Sequence, residues 1–378
     1  MPNRPLSAIV LAAGEGTRMR SSLPKPLHRL CGRPMVLHVL DALAELSVER
    51  VVVVVGARAV EVTKVIGAEA PAHLALEFVD QTEPRGTGDA AAVALTAFPE
   101  GADLAAGDLV VLPGDAPLVR PATLAALVRA HRSCDAAATL LTARLEDPTG
   151  YGRIVRTKDG RVARIVEEVD ASEDERAIDE VATSIYCFKH AVLAPALRRL
   201  SPDNAKGEYY LTDTIAVLHD AGYPVVTQVA PDPIEAAGVN DRAQLAAAEA
   251  EVRARINERW MRRGVTMVDP EATYLDTTVE LAADVTVLPG AVLEGRTVVG
   301  EGAVVGVGCH LVDCEVGAGA RLEHVVARQA VIGEGARVGP FVHLEPGTRV
   351  LAGRVVGPGT PIEGASDRAE EREERRWS

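Results

Sequence analysis

Residues 8–27 read AIVLAAGEGTRMRSSLPKPL. An apolar run leads into a turn that contains Gly14 and Gly16, and the cations Arg18 and Lys25 follow. Glycine lets a backbone approach a ligand closely, and exposed backbone N–H groups together with cations suit a triphosphate. The stretch therefore predicts a strand that ends at a nucleotide-binding loop.

This loop does not match the two commonest phosphate-binding motifs. Met19 stands where a dinucleotide-binding fingerprint has its third glycine, and the stretch lacks the Gly-Lys-Ser/Thr of a P-loop. Hydride transfer and ATP hydrolysis therefore lose their usual support. A merely structural tight turn with two solvated cations stays open as the alternative interpretation.

A second strand signal lies at residues 109–119, LVVLPGDAPLV. Its apolar run ends directly at Gly114 and Asp115. Ligands of open α/β sheets bind beyond the carboxyl ends of the strands, where a lone carboxylate is well placed to hold Mg²⁺. Asp115 is the predicted metal ligand, and an aspartate of a turn or helix cap is the alternative.

Short Val- and Leu-rich runs alternate with helical patterns through the first part of the chain. Such runs are typical of strands buried on both faces of a mostly parallel sheet. We predict a Rossmann-like α/β domain with a mixed, mostly parallel sheet over residues 1–240. Residues 241–264 have helical spacing and a closing glycine, and they predict a connecting helix.

A six-residue period begins near Val279. The recurring aliphatic positions are first Val287, Leu293, Val299, Val305 and Leu311. Two five-residue steps then intervene, and the spacing resumes at Ile332, Val338, Leu344, Val350, Val356 and Ile362. Fixed-period repeats of this kind indicate a solenoid with the aliphatic residue stacked inside. We predict a left-handed parallel β-helix of hexapeptide repeats over residues 265–364 and a charged tail over 365–378.

The composition restricts the classes of partner. The chain of 378 residues has a formal net charge of −14, which argues against a nucleic-acid partner. It has no apolar run long enough for a membrane span and no signal-peptide pattern, so a cytoplasmic protein without a membrane partner is predicted. Its five scattered cysteines indicate neither a disulfide framework nor a zinc site.

Six motifs occur in an order that resembles one enzyme family. They are LAAGEGTRM with Lys25, QTEPRGTGDA, PGDAPL, DPTGYGRI, NAKGEYYLTD and GVNDR. Together with the hexads they resemble bacterial N-acetylglucosamine-1-phosphate uridyltransferase, which is usually fused to glucosamine-1-phosphate acetyltransferase. The resemblance implies a sugar nucleotidyltransferase domain that transfers UMP from UTP to N-acetylglucosamine-1-phosphate. It also implies Mg²⁺ as the cofactor and a homotrimer formed through the β-helix.

The resemblance also implies roles for individual residues. Arg18, Lys25 and Asp115 would be catalytic, with Arg18 and Lys25 at the phosphates. Asp115 and Asn240 would coordinate Mg²⁺. The substrates would contact Leu11, Ala12, Ala13, Gly14, Lys25, Gln81, Gly86, Thr87, Gly114, Gly152, Glu167 and Asn240, of which Gly152 and Glu167 would line the sugar subsite.

Two departures from the family pattern limit what is carried over. The family's Asn-Thr-Gly or Asn-Ser-Gly is here Ala182-Thr183-Ser184, so a contact to the sugar is lost and the sugar preference stays open. The family's acetyltransferase arginine before Pro-Gly is here Glu345, so we expect that activity to be absent. The alternatives are a pyrophosphorylase for another sugar-1-phosphate and nucleotide, or a non-catalytic metabolite sensor or scaffold.

Overall fold

A computed structural model describes residues 4–56, 58–98 and 107–361. The described residues form two compact units. The first contains the residues up to 28 and residues 34–248, and the second contains residues 29–33 and the residues from 249 onward. The predicted domain limits at residues 240, 264 and 364 stay predictions. Ile362 and the predicted charged tail lie outside the described residues.

A nine-stranded sheet forms the centre of the first unit. Its strands are β1 (Leu6–Leu11), β4 (Arg50–Val55), β5 (Leu76–Asp80), β6 (Asp108–Pro113), β7 (Ala138–Arg144), β8 (Arg153–Arg156), β9 (Val162–Val166), β10 (Glu180–Lys189) and β11 (Val225–Val229). Two short strands, β2 (Arg29–Leu30) and β3 (Arg33–Pro34), lie outside this sheet.

The main path of the sheet runs β11-β7-β10-β6-β1-β4-β5. The neighbours of β1, which are β4 and β6, pair with it in parallel, and β5 and β11 also add in parallel. Strand β10 runs antiparallel to both of its neighbours on this path. The predicted mixed, mostly parallel sheet is therefore confirmed.

Helices cover both faces of this sheet and explain its continuous apolar runs. In β4, Val51 and Val53 belong to one core cluster, whereas Val52 and Val54 belong to the other. Because each face carries its own core, no position of the strand is free to be polar. The described residues of the chain form the helices α1 (Met35–Ala44), α2 (Ala59–Glu69), α3 (Thr87–Leu95), α4 (Pro121–Ser133), α5 (Glu173–Arg176), α6 (His190–Leu197) and α7 (Thr214–Asp220), and a further helix, α8 (Arg242–Arg262), which contributes to neither core of the sheet. Short 3-10 helices span Thr17–Met19, Lys25–Leu27, Leu211–Asp213 and Pro233–Ala236.

Strand β6 begins with a buried carboxylate, Asp108, which is 1% exposed. Arg132 donates to it at 2.6 Å, and Arg4 lies 3.4 Å from its other oxygen. His131 lies 3.5 Å away. Burial alone would raise the pKa of Asp108, but the hydrogen bonds and charges of His131 and Arg132 outweigh it and lower that pKa.

The second unit is a solenoid of short parallel strands in three sheets. The first sheet contains β12 (Thr266–Met267), β15 (Thr286–Val287), β18 (Val304–Val305), β21 (Arg321–Leu322), β24 (Arg337–Val338) and β27 (Val355–Val356). The second contains β13 (Tyr274–Leu275), β16 (Val292–Glu294), β19 (His310–Val312), β22 (Val325–Arg328) and β25 (Val342–Leu344). The third contains β14 (Glu280–Leu281), β17 (Val298–Val299), β20 (Glu315–Val316), β23 (Val331–Ile332) and β26 (Arg349–Val350).

This arrangement confirms the predicted left-handed parallel β-helix. Each aliphatic residue of the repeat stacks on its counterpart in the next coil. Leu293 pairs with Leu311, and Leu311 pairs with Ala327, and all three are fully buried. The hexad period is therefore the spacing from one side of a triangular coil to the next.

The predicted number of five-residue steps is wrong, because the structure contains three. They run from Leu311 to Val316, from Leu322 to Ala327, and from Ala327 to Ile332. At each of these corners a single non-glycine residue turns the chain in the left-handed region: Asp313 (φ +52°), His324 (φ +47°) and Gln329 (φ +47°). The shortened sides thus place non-glycine residues in a conformation that glycine adopts at most other corners, as at Gly302 and Gly335.

Among the described residues, no helix combines the length and the apolar character that a membrane crossing requires.

Candidate active site

A cleft of about 730 Å³ opens in the first unit, beyond the carboxyl ends of β1 and β6. Every residue that the sequence predicts for the site lines it. They are Leu11, Ala12, Ala13, Gly14, Arg18, Lys25, Gln81, Gly86, Thr87, Gly114, Asp115, Gly152, Glu167 and Asn240. The structure therefore brings all fourteen together, while their roles stay predictions.

The glycine loop after β1 brings a lysine close to the backbone. Gly16 adopts φ +65°, and a Cβ at this position would lie 2.5 Å from Cβ of Lys25. A larger residue would push Lys25 away from the loop. Met19, which replaces the third glycine of a dinucleotide fingerprint, is 1% exposed and anchors the loop in the protein interior. Met19 therefore packs in the interior in this loop, at the position where a dinucleotide-binding loop has its third glycine.

Four predicted residues meet at one point of the cleft. The ammonium group of Lys25 donates to Oδ2 of Asp115, and it also donates to Oδ1 of Asn240 at 2.9 Å. A guanidinium nitrogen of Arg18 donates to the same Asn240 oxygen at 2.9 Å. Two cationic side chains and two side-chain oxygens that accept their hydrogen bonds, from distant parts of the chain, therefore form one polar cluster.

Hydrogen bonds of their own backbone groups hold Asp115 and Asn240 in place. Asp115 follows the end of β6, and its carbonyl oxygen accepts from N of Val239 at 2.9 Å. The N–H of Asn240 donates to Oε1 of Gln244 at 2.7 Å. Gln244 in turn lies in the first turn of α8, where its own N–H donates to Oδ1 of Asp241 at 2.8 Å. The start of α8 therefore orients Asn240.

Asp115 does not cap the helix that follows it. The N-cap of α4 is Arg120. The carboxylate of Asp115 instead pairs with Lys25 inside the cleft. The structural alternative of a helix-capping aspartate is thus not the arrangement observed.

A second wall of the cleft is built around the start of α3. Gly86 precedes this helix with φ +109°, and a Cβ there would lie 2.6 Å from the carbonyl oxygen of Tyr209. The side-chain amide of Gln81 donates to Oδ2 of Asp89 at 2.7 Å and to the carbonyl of Gly86 at 3.2 Å. Both contacts fix the Gln81 amide, so its oxygen has a defined orientation. Thr87 accepts a backbone hydrogen bond at 3.0 Å through Oγ1.

The predicted sugar end of the cleft contains a partly buried carboxylate, Glu167. Its Oε1 accepts from the Thr212 hydroxyl at 3.0 Å. Burial raises the pKa of Glu167, and the hydrogen bond from Thr212 opposes that effect only in part. Gly152 lies beside it, since a Cβ there would lie 3.5 Å from Oε2 of Glu167 and only 2.8 Å from a methyl group of Ile165. At this end of the cleft, the Glu167 carboxylate can accept hydrogen bonds, and the absence of a side chain at Gly152 lets a ligand come close to the backbone.

Ala182 lines the same cleft, so the departure from the family pattern lies at the site itself. The side chain is 5% exposed and presents a methyl group where the family has an amide. The pairing of β10 with β7 shifts between Ala182 and Tyr186. Ser184, inside this irregularity, adopts φ +60°, the left-handed region that the family's glycine would occupy without strain.

Several polar residues of the cleft could not be identified from the hydropathy pattern of the sequence. Tyr186 and Tyr210 line it and are 2% and 7% exposed, so both look like ordinary core residues in the sequence. Burial raises the pKa of Tyr210 to about 12. Among the described residues its hydroxyl has no hydrogen-bond partner. Lys206 lies 6.0 Å from its ring centroid. The motif NAKGEYYLTD contains Lys206, Tyr210 and Thr212, so it was the sequence feature from which these cleft residues could have been predicted.

Comparison with known proteins agrees with this geometry. The model of the nucleotidyl transferase family matches residues 7–236. The bifunctional protein GlmU of Thermobifida fusca is 49% identical over 332 residues, which cover 88% of this chain and 68% of that protein. The GlmU of Desulfitobacterium hafniense is 46% identical over 342 residues, which cover 90% of this chain and 73% of that protein. The GlmU of Kineococcus radiotolerans is 48% identical over 356 residues, which cover 94% and 71%.

The family match spans the cleft-bearing unit from β1 to the segment before Asn240. The relatives extend the similarity through most of the β-helix. Fold, cleft and sequence similarity therefore lead to one assignment. The chain is a nucleotidyltransferase that belongs to the family of the bifunctional GlmU proteins.

Proposed function

We propose that the chain transfers UMP from UTP to N-acetylglucosamine-1-phosphate in a Mg²⁺-dependent reaction, giving UDP-N-acetylglucosamine and pyrophosphate. The observation that carries the proposal is the polar cluster of Lys25, Arg18, Asp115 and Asn240 in a cleft that also contains Glu167. Cations suit the triphosphate, and the carboxylate end suits sugar hydroxyls.

The oxygen donors of the cluster fit a magnesium ion that is shared with substrate. Asp115 and Asn240 both direct an oxygen at the single ammonium of Lys25, so both can face one cation. The described residues contain no group of three or more His, Cys, Asp or Glu side chains that could hold a metal. Mg²⁺ often binds one or two protein oxygens and completes its shell with phosphates and water. When bound, it would neutralise phosphate charge at Asp115 and Asn240.

The reaction needs alignment and charge compensation more than a protein nucleophile. The attacking oxygen of a sugar-1-phosphate is already anionic, so no residue has to remove a proton from it. Arg18 and Lys25 stabilise the negative charge that develops towards pyrophosphate. The backbone of the loop with Gly14 and Gly16 follows the phosphates closely. Glu167, held by Thr212, accepts hydrogen bonds from the sugar.

One observation favours a second candidate, a pyrophosphorylase with a different sugar-1-phosphate and nucleotide pair. The methyl group of Ala182 leaves the sugar end of the cleft with one polar contact fewer than the family pattern has. Loss of a hydrogen-bonding group weakens discrimination between related substrates. Uridine recognition and sugar recognition are therefore tested separately.

The test is pyrophosphate release by the purified chain over a matrix of nucleoside triphosphates and sugar-1-phosphates, with and without Mg²⁺. Selective turnover of UTP with N-acetylglucosamine-1-phosphate, abolished by a chelator and restored by Mg²⁺, supports the proposal. Another preferred pair would replace the substrate assignment. No turnover with any pair would favour a sensor or a scaffold.

We further propose that the chain lacks the acetyltransferase activity that its family resemblance would otherwise suggest. The proposal rests on Glu345, an exposed acid where the family has a phosphate-binding arginine. A carboxylate repels a sugar phosphate instead of pairing with it. Acetyl transfer from acetyl-coenzyme A to glucosamine-1-phosphate by the purified chain would contradict this.

A further inference from the structure

A second cleft, of about 550 Å³, lies wholly within the second unit and plays no part in the proposed reaction. The end of α8 and the residue after it form one wall. Strand segments of the first coils of the β-helix form the other. The lining residues are Arg259, Trp260, Arg263, Thr277, Thr278, Val279, Glu280, Leu281, Ala282, Val298, Val299 and Gly300.

Two arginines of this cleft lie around one tryptophan without a counter-anion. The guanidinium carbons of Arg259 and Arg263 are each 5.4 Å from the ring centroid of Trp260. Within the described ranges neither arginine forms an ion pair with a carboxylate. Burial and then the charge of Arg263 lower the pKa of Arg259. The two like charges therefore oppose each other instead of sharing an anion.

The neighbouring Arg262 provides the contrast. It belongs to the same helical turn but does not line the cleft, and it pairs with Glu258 at 2.6 Å. Cations near the C-terminus of a helix gain from its dipole, which accounts for the presence of arginines here. The dipole does not explain why the two that line the cleft have no counter-anion.

The cleft also contains unused hydrogen-bond donors. Trp260 is 8% exposed, and its indole Nε1 is buried without an acceptor in the part of the chain that the structure describes. The hydroxyl of Thr277, which is half-buried, makes no hydrogen bond to a described residue and can donate to a ligand in the cleft. The one carboxylate among the lining residues, Glu280, is exposed.

We propose that this cleft binds a phosphate group, either as inorganic phosphate or as the phosphate end of a small metabolite. Two guanidinium groups provide charge-assisted donors suited to phosphate oxygens. The Thr277 hydroxyl adds a neutral donor. Arg259 and Arg263 are exposed at the cleft and have no carboxylate partner among the described residues, so both are available to pair with a phosphate.

The test uses Trp260 as its own reporter. The chain has two tryptophans, Trp260 and Trp377. In the full-length Trp377→Phe protein, inorganic phosphate is titrated at constant ionic strength while the fluorescence of Trp260 is recorded. We expect a saturable change. Arg259→Gln and Arg263→Gln should each raise the half-saturating concentration at least about tenfold. The matched control Arg262→Gln should leave it unchanged.

A parallel titration with glycerol phosphate distinguishes the two sources of the phosphate group. Tighter binding of the monoester assigns the site to a metabolite, and tighter binding of inorganic phosphate assigns it to the free ion. Calorimetry on the wild-type chain checks the affinity without a fluorescence signal, and thermal melting checks that the variants fold. A non-saturable change that sodium chloride reproduces would overturn the proposal. Equal weakening by Arg262→Gln would also overturn it, because only general surface charge would then be at work.

Discussion

At the residue scale, Lys25 connects the two oxygen donors that we propose as metal ligands. The sequence positions 25, 115 and 240 are far apart, yet one ammonium contacts both oxygens. Lys25 and Asp115 could be selected from a glycine loop and a strand end that are visible in the sequence, whereas Asn240 was identified only through the resemblance to the family. The convergence of these three residues could not be predicted, because it depends on the backbone hydrogen bond from Val239 to Asp115 and on the contact of Asn240 with the start of α8.

Asp115→Ala should reduce pyrophosphate release at least ~100-fold, because it removes a metal ligand and the partner of Lys25. The measurement is steady-state turnover with saturating Mg²⁺ and substrates. Asp80→Ala is the matched control: Asp80 ends strand β5, is exposed and does not line the cleft. Equal loss in both variants, or full activity of Asp115→Ala, would refute the role of Asp115.

Ala182→Asn should restore a polar contact at the sugar end of the cleft. One added hydrogen bond is worth about 0.5–1.5 kcal/mol, so we expect kcat/KM for N-acetylglucosamine-1-phosphate to rise roughly 2- to 10-fold over that for glucose-1-phosphate. Kinetics with UTP held saturating measure this ratio. An unchanged ratio would show that position 182 does not contact the sugar.

Some residues of the site could not be predicted because burial conceals their function. Tyr186 lies in an apolar strand and is 2% exposed, as a core tyrosine would be. Only the three-dimensional position of Tyr186 beside the cleft distinguishes it from the apolar residues around it. Glu167, in contrast, directly follows the apolar strand β9 and could be identified through the resemblance to the family.

At the element scale, the buried carboxylate at the start of β6 connects the strand to α4 and to the N-terminal segment. Asp108→Asn should lower the free energy of unfolding by about 3 kcal/mol, because two arginines lose a buried partner. Denaturant unfolding at pH 7 measures this. The control Glu77→Gln alters the exposed pair with Arg50 and should cost less than about 1 kcal/mol. Equal effects of the two variants would contradict the buried-pair argument.

The same carboxylate predicts a dependence of stability on pH. The folded-state pKa of Asp108 is lowered below the ordinary value of 3.8, so folding favours the ionised form. This contribution is fully present above the ordinary pKa and is lost as the pH falls below about 4. Asp108→Asn should therefore flatten the acid limb of a plot of unfolding free energy against pH. An unchanged acid limb would show that other groups cause it.

Within the β-helix, the stacked aliphatic column should dominate stability. Leu311→Ala removes a fully buried side chain between Leu293 and Ala327 and should cost about 2–5 kcal/mol. Val326→Ala, on the outward-facing side of β22 and 40% exposed, is the matched control and should change the free energy little. Thermal or denaturant unfolding that shows equal losses would contradict the inward stacking.

The miscount of the five-residue steps has a physical reason. Most corners of the solenoid contain a glycine with positive φ, as at Gly302 and Gly335, and glycine makes such corners visible in sequence. The three shortened corners instead use Asp313, His324 and Gln329. Non-glycine residues adopt this conformation less often than glycine, so these three corners carry no glycine signal in the sequence.

At the scale of the whole molecule, the fold class followed from periodicity alone. Continuous apolar runs identified a sheet covered on both faces, and the hexads identified the solenoid. The antiparallel placement of β10 between β6 and β7 did not follow, because strand order depends on contacts between distant segments. Local patterns specify elements well, but they carry little information on which strands become neighbours.

We predict that the chain assembles as a homotrimer through the sides of its β-helix. The sheets of the solenoid carry exposed aliphatic residues on their outer surfaces, such as Val355 in β27. Flat sheets favour packing side by side, and closed symmetry limits the assembly to a defined number of copies. Sedimentation equilibrium at micromolar concentration should give three times the chain mass of 39.8 kDa. A stable monomer would contradict the prediction.

The shortened corners also determine how the solenoid can change in length. Val287 pairs with Val305, 18 residues later, whereas Val316 pairs with Ile332, only 16 residues later, and both pairs keep the aliphatic side chain inside. A residue lost within a strand would turn its inward side chains outward, but a residue lost at a corner leaves every strand in register. Single-residue deletions and insertions at the corners are therefore mutations that this architecture can absorb. Coils of unequal length can accumulate one step at a time without an intermediate that fails to fold.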